Sequence, residues 1–349
     1  AWGLRPDAVY GQSIGEVAAA VVAGALSLAE GARVIALWSA VVHERASGRG
    51  GMVLCDLCLE DAERFTRTLP AAALAGHMSP GHVCFAATEA TLGELAAALK
   101  AQGKRVHRIQ IDYPCHSPQM AALVPELVSR MGTVQCGPCA IPMVSTVHGQ
   151  LLPGESLTAA YWAENMQRPM AVVAATAALA SEGVRIVEIG PHAVALRGIE
   201  ETLRASSYKG TRVLAAGYRD QPGRRTLEDL ACALFCDGFD VRWDVVLGRA
   251  EGGGVWSSVP LLLSGRSQAA LRENARRLAA HLDAHPELRA VDIARTLAAC
   301  RKHFEHRAAI VAPSRAEALA ALGCVAEGRD HHAACVDLAG GRSNKKMML

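Results

Sequence analysis

The chain has 349 residues, 51% of them hydrophobic and 20% charged, which is enough apolar material for one large or two ordinary cores and excludes disorder as its main state. Lys and Arg number 36 against 34 Asp and Glu, a formal charge of +2 with no block of one sign, so composition offers no electrostatic basis for binding nucleic acid or an acidic membrane. No apolar run reaches the ~18–20 residues that cross a bilayer, and eleven irregularly spaced cysteines point to reduced thiols and a cytoplasmic setting.

Residues 7–10 read as a short strand entering Gly11-Gln12-Ser13-Ile14-Gly15, and 16–25 as a helix rich in small residues. Apolar residues at helical spacing over 28–45 predict a second helix, capped by Ser27 and ended by the glycines of 48–51. Then come a strand at 52–57, a helix at 60–69, strands at 72–77 and 82–87, a helix at 92–102 and a strand at 106–111. The order βαββαβ is ferredoxin-like. Pro114 and Pro118 frame a loop that opens into a helix through Val128, and strands at 141–147 and 186–189 flank a helix at 170–181. Glu251-Gly252-Gly253-Gly254 marks a boundary. Beyond it the chain reads as strand 259–263, helices 269–284 and 291–300, strand 306–311 and helix 315–322, with a polar, disordered tail to Leu349.

A Gly-x-Ser-x-Gly pentapeptide between a predicted strand and helix is a nucleophile elbow, in which the glycines permit the tight turn and the serine projects its hydroxyl. Ser13 is the candidate nucleophile. The N–H of Ile14, at the start of the helix, is the natural first donor to an oxyanion. Ser13 needs a base, and of thirteen histidines two stand out. His116 sits in the proline-framed loop where the chain returns to the Ser13 layer, and His192 follows a strand in Gly190-Pro191-His192. Nothing singles out an acid to complete a triad, so a dyad is expected.

Gly11-Gln12-Ser13-Ile14-Gly15-Glu16, Tyr113-Pro114-Cys115-His116-Ser117-Pro118-Gln119, Val144-Ser145-Thr146-Val147, Tyr161-Trp162-Ala163-Glu164-Asn165 and Val187-Glu188-Ile189-Gly190-Pro191-His192 follow one another as they do in a known family. From Ala1 to about Leu247 the chain resembles the acyltransferase domain of a modular type I polyketide synthase. The resemblance implies an α/β fold: an α/β-hydrolase-like large subdomain (1–50 and 112–247) with an inserted ferredoxin-like small subdomain (51–111). A small C-terminal α/β subdomain (258–328) resembles the linker between a ketosynthase and an acyltransferase, and 329–349 is expected to be disordered. The resemblance further implies that Ser13 takes an acyl group from acyl-CoA as an ester and passes it to the phosphopantetheine thiol of an acyl carrier protein. His116 would be the base, with Gln12 beside the nucleophile where the family usually has His, and with the backbone around Asn165 orienting the imidazole. No metal and no tightly bound cofactor are implied. Partners would be a carrier protein and neighbouring synthase domains, namely a ketosynthase and, where the order of the parts reflects tandem acyltransferases rather than a truncated or rearranged reading frame, a second acyltransferase.

Three departures bear on selectivity. Trp38 stands where extender-loading members carry an arginine that pairs with the free carboxylate of malonyl or methylmalonyl. An indole cannot form that pair, and a buried carboxylate without its cation costs roughly 3–5 kcal/mol, or about a hundredfold or more in discrimination. The expected substrate is therefore a monocarboxylic starter, as in loading-module members. Tyr113, Pro114 and Cys115 before His116 match neither extender signature, and Met78 replaces a polar residue near the pocket. The family's first strand and Gly-Gln-Gly loop would precede Ala1. Extender loading, an esterase or thioesterase using the same elbow, and an inactive fragment are the alternatives. Cys136-Gly137-Pro138-Cys139 matches a redox tetrapeptide but enters a predicted strand, and its gap from Cys55 and Cys58 far exceeds zinc-site spacing; Cys300, His303 and His306 could share one helix face but read as an incidental three-residue cluster, so no metal is expected.

Overall fold

The computed structural model describes residues 2–248, 255–339 and 346–349, so the expected boundary at 251–254 lies outside the described residues. The chain divides into two units. The larger holds Pro6–Glu188, Val194–Val213 and Lys346–Leu349; the smaller holds, among the described residues, 2–5, 189–193, 214–248 and 255–339.

In the larger unit β1 (Val9–Tyr10) leads into α1 (Gly15–Val22) and α2 (Leu28–Arg45). Val34, Trp38, Val41 and Val42 form the buried stripe of α2, and Ser27 accepts the Glu30 N–H at 3.1 Å, a cap worth about 1 kcal/mol. Next come β2 (Gly51–Cys55), α3 (Leu59–Thr68), β3 (Ala73–Ser79), β4 (His82–Ala87), α4 (Glu89–Ala101) and β5 (Val106–Ile109). They make an antiparallel sheet of order β3-β4-β2-β5, the ferredoxin-like arrangement. Its core joins Leu92, Leu95 and Leu99 of α4 and Ala62 of α3 to Val53 and Phe85 of the sheet.

The chain then returns through a 3-10 turn at Pro118–Leu123 to α5 (Val124–Met131), β6 (Met143–Ser145), β7 (Gln150–Leu151), α6 (Ala159–Gln167), α7 (Val172–Leu179), β8 (Arg185–Glu188), α8 (Leu196–Ala205) and β9 (Arg212–Ala215). β1 pairs in parallel with β6, which pairs antiparallel with β7. The sheet positions the end of β1, and hence the turn after it, beside the segments that follow β6.

The smaller unit contains α9 (Gly223–Cys236), α10 (Trp243–Val246), β10 (Pro260–Gly265), α11 (Gln268–Ala284), α12 (Ala290–Ala299), β11 (His306–Val311), α13 (Arg315–Glu327) and β12 (Ala334–Leu338). Its sheet is antiparallel with order β10-β11-β12. Ala231, Cys232, Phe235 and Cys236 of α9 share one core with Leu261, Leu262, Leu263 and Ile310. Within 214–247, expected in the large subdomain, α9 and α10 instead belong to the second unit, because the apolar face of α9 and Trp243, Val246 and Leu247 are buried in its core.

Of the expected disordered tail 329–349, the described residues 334–338 and 347–348 are strands instead. Strand β12 pairs with β11 from Ala334 to Leu338. A further strand, β13 (Met347–Met348), runs parallel to β8, and Met348 bridges Ala8 beside β1. The larger unit's sheet thus reads β7-β6-β1-β13-β8-β9. Asp7 N–H donates to Met347 (2.7 Å), Tyr10 N–H to Leu349 (2.8 Å), Leu349 N–H to Ala8 (3.1 Å) and Arg185 N–H to Lys346 (2.8 Å). A buried backbone group left without such a partner costs about 1–3 kcal/mol. So short a strand carries no periodicity, and only the edges it lies between make it one. Residues 340–345 of the expected tail lie outside the described residues. Among the described residues no helix is long and apolar enough to cross a membrane.

Candidate active site

The turn after β1 brings Gly11, Gln12 and Ser13 to the start of α1, with the Gly15 N–H on the Gln12 carbonyl (2.9 Å) and the Glu16 N–H on that of Ser13 (3.0 Å). A Cβ on Gly11 would stand 2.3 Å from the Glu16 nitrogen, so only glycine fits the bend. Ser13 has φ 56° and His116 φ 57°; the only other positive-φ residue among the described non-glycines is Asp220. Such a conformation persists where surrounding structure over-determines it, and it clusters at functional sites.

These two strained residues meet. Ser13 Oγ lies 2.7 Å from His116 Nε2. His116 Nδ1 is 3.1 Å from the Arg168 carbonyl, and because a carbonyl can only accept, Nδ1 carries the proton and Nε2 is free to accept from the serine hydroxyl. The loop is pinned by the His116 N–H on the Met166 carbonyl (2.9 Å) and by Ser117 Oγ on the Pro114 carbonyl (2.6 Å). His116 is only 2% exposed. Burial pushes its imidazole down to about 4, against which the backbone carbonyls of Arg168 and Asn165 pull upward, so the ring is neutral at pH 7.

Behind the elbow lies a buried carboxylic acid that the sequence reading did not assign. Glu16 accepts from Asn165 Nδ2 (2.6 Å) and Thr146 Oγ1 (3.0 Å) through Oε2, and from the Tyr161 hydroxyl through Oε1. Thr146 also reaches the Gly11 carbonyl at 2.8 Å. The network ties the elbow to α6, the helix that ends beside the imidazole's carbonyl partners. A signal was present: Glu16 falls among Val17, Ala19 and Ala20, the buried side of α1.

Residues 1–241 match the acyl transferase domain family, and 260–322 match the family described as CurL-like, PKS C-terminal. The chain belongs to the acyl transferase domain family. It is 39% identical over 246 residues to the spectinabilin polyketide synthase system protein NorA' of Streptomyces orinoci, an alignment covering 70% of this chain and 7% of that protein. Among solved structures it is similar to the acyltransferase domain from module 8 of the salinomycin polyketide synthase, with TM-score 0.66, 30% identity, and coverage of 69% and 57% of the two chains. It is also similar to a loading acyltransferase from the avermectin modular polyketide synthase, with TM-score 0.63, 30% identity, and coverage of 67% and 74%. The acyl transferase fold of two subdomains, a larger α/β layer and a ferredoxin-like insertion, is therefore this chain's fold.

The other expected site residues of this acyl transferase domain are distributed as follows. Gln12 and Ile14 flank Ser13, and Ile14 is 46% exposed. Cys115, Met78 and Tyr113 share an apolar cluster with Met52, Met170 and Val172, where the inserted sheet meets the larger layer. Trp38 lies in a separate cluster with Met120 and Leu123, which Tyr113 also borders. The Trp38 indole N–H is buried without a protein partner. Pro114 is buried in the loop before His116. Asn165, expected to act through its backbone, also turns its side chain to Glu16, and its Oδ1 is buried without a partner. His192 accepts the Arg219 N–H at 3.1 Å in the smaller unit. A cavity of about 670 Å³, lined by Thr66, Leu74, Pro118, Glu164 and Arg168, borders the same α6 end that holds His116. Among the described residues no group of His, Cys, Asp or Glu is placed to hold a metal.

Burial raises the Glu16 carboxyl from 4.5 to about 7, opposed by the hydrogen bonds from Tyr161 and Thr146. The folded state therefore binds more protons than the unfolded state between pH 4.5 and 7, and this group's contribution to stability declines as pH rises through that window. Glu16→Gln removes the slope. The stability advantage of the parent over the variant should shrink by something on the order of 3 kcal/mol between pH 4.5 and 7 and stay level above it. Urea unfolding of both proteins at pH 5, 6, 7 and 8 measures it, with the opposite slope from His116 cancelling because both proteins retain that residue.

Proposed function

We propose that this chain is the acyltransferase of a polyketide synthase: it moves an acyl group from acyl-CoA to Ser13 and from Ser13 to the phosphopantetheine thiol of an acyl carrier protein. The observation that carries the reading is the 2.7 Å contact between Ser13 Oγ and a buried, neutral His116. His116 Nε2 takes the hydroxyl proton as Oγ attacks the thioester carbonyl. The oxyanion forms beside the Ile14 N–H, which donates to no protein acceptor among the described residues. Collapse breaks the C–S bond, the coenzyme A thiol leaves with the proton from His116, and the serine ester remains. The carrier thiol then repeats the sequence in reverse, losing its proton to His116 and regenerating the Ser13 hydroxyl. The pair is a dyad, because a backbone carbonyl rather than a carboxylate holds Nδ1.

The matched curated relative is far longer than this chain, which spans 7% of it, and the carrier protein, a ketosynthase and further synthase domains are the partners this reading requires. Acyl-CoA is a substrate, no resident cofactor is needed, and the setting is the cytoplasm. Incubation with acyl-CoA and holo carrier protein tests the reading. Acyl-carrier as the main product supports it, whereas free acid as the main product identifies an esterase or thioesterase, and absence of both identifies an inactive chain.

Within this activity the site favours a monocarboxylic starter over a malonyl or methylmalonyl extender. Trp38 occupies an apolar cluster, and both arginines of α2 are engaged elsewhere. Arg33 pairs with Glu30 and donates to the Met131 and Thr133 carbonyls, and Arg45 pairs with Glu126. Trp38→Arg should raise malonyl loading relative to propionyl loading by about tenfold to a hundredfold, up to the full value of a paired carboxylate. Competition between the two acyl-CoAs, read as the mass added to Ser13, measures it. A parent enzyme that loads malonyl preferentially would make it an extender enzyme.

A further inference from the structure

Ser13 stands in the turn that follows β1, a strand of only two residues, in a conformation that its surroundings must enforce. On one side β6 holds this strand: the Val9 N–H reaches the Pro142 carbonyl at 2.9 Å, and Thr146 holds Gly11. On the other side its main-chain partners among the described residues come from Lys346–Leu349. The Leu349 carbonyl accepts the N–H of Tyr10, the residue that opens the elbow turn, and its own N–H reaches Ala8. Asp7 closes the far end twice, through its N–H on the Met347 carbonyl and through its carboxylate on the Met347 N–H at 2.8 Å. Met347 and Met348 are 2% and 4% exposed, and Met348 joins Ala8, Val144 and Ile186 in one core.

We propose that Lys346–Leu349 is a positioning element for the nucleophile: an added strand, held in the sheet by main-chain hydrogen bonds and two buried methionines, whose docking between β1 and β8 sets the Ser13 elbow in its reactive geometry. The mode is strand addition, in which the backbone supplies affinity and alternate side chains fill pockets. Its consequence is that acylation depends on occupation of this slot, and that the occupant is a segment remote in sequence from the residues it serves. The functional part of the inference rests on Ser13 being the acylated residue.

Two experiments on the full chain test it. In Ala8→Cys/Met348→Cys the paired backbone positions are close enough for a disulfide under mild oxidation. Peptide mapping should find the 8–348 bridge within one molecule, and the bridged protein should acylate Ser13 within about twofold of the reduced one. Met348→Pro removes a donor and places a ring inside the sheet. It should slow Ser13 acylation at least tenfold while both units still melt cooperatively, and a synthetic peptide of residues 344–349 added in excess should restore at least half the rate. Met348→Leu should behave as the parent. No 8–348 bridge, a bridge only between two molecules, an inactive bridged protein, or a Met348→Pro protein as fast as the parent would each overturn the proposal. If Met348→Pro fails to fold, the bridged protein decides. If the parent itself is never acylated, it is the proposed activity that fails, and the mapped bridge still judges the strand's placement.

Discussion

Ser13→Ala should leave no acyl-enzyme. With acyl-CoA, intact-mass measurement of the parent should show one added acyl group per chain, and the variant none. Transfer to a carrier protein should fall by roughly 10⁴-fold or more, because without the hydroxyl there is no ester to pass on and only binding and oxyanion stabilisation remain. The fold should survive. Ser13 is half-buried, and among the described residues its side-chain hydrogen bond is the one to His116. The φ of 56° is no easier for alanine than for serine, so the strain is unchanged and the loss of rate is chemical. A variant that still gains the acyl mass at another residue would remove Ser13 from the mechanism.

His116→Ala should lower Ser13 acylation by about 10²- to 10⁴-fold, the usual contribution of a positioned general base. The pH dependence follows from the same burial. The imidazole is held down to about 4, and the base is the deprotonated form, so acylation by the parent should be level from pH 8 to about 5.5 and fall as pH drops through 4. An unperturbed histidine would lose half its rate near pH 6.5. Stability moves in the same direction. With a folded value below the unfolded 6.5, the unfolded state binds more protons between those values, so the stability that neutral His116 contributes above pH 6.5 is lost on acidification toward 4. Initial rates of acyl-enzyme formation across pH, corrected for the folded fraction, separate the two. A rate midpoint near 6.5 would mean that the ring is solvated during turnover.

The elbow was legible in the sequence because everything it needs is local: two glycines, a serine, a preceding strand and a following helix within a short span. The cap at Ser27 and the alternation of strands and helices over 51–109 were legible for the same reason, since hydrophobic period and capping chemistry act over a few residues. His116 was legible only as a histidine in a proline-framed loop. The sequence places it 103 residues from Ser13, and only the return of the chain from the inserted sheet brings the two within 2.7 Å.

Tertiary structure alone decided the rest. Glu16 reads in sequence as an ordinary acid in the first turn of a helix; its surroundings of Tyr161, Thr146 and Asn165 come from segments more than a hundred residues away, and it is their enclosure, not its neighbours in the chain, that raises its carboxyl toward 7. Residues of α9 and α10 read as part of the larger layer until α9 buries its apolar face on the second sheet. Lys346-Met347-Met348-Leu349 read as a tail because four residues have no period to detect. They are a strand because their backbone groups pair with β8 on one side and with Asp7, Ala8 and Tyr10 on the other, and a strand's stability lies in its partners rather than in its own residues. What chemistry the chain carries was thus written locally, in residues that need only their immediate neighbours; what holds that chemistry in place depends on long-range pairing, which no local pattern encodes.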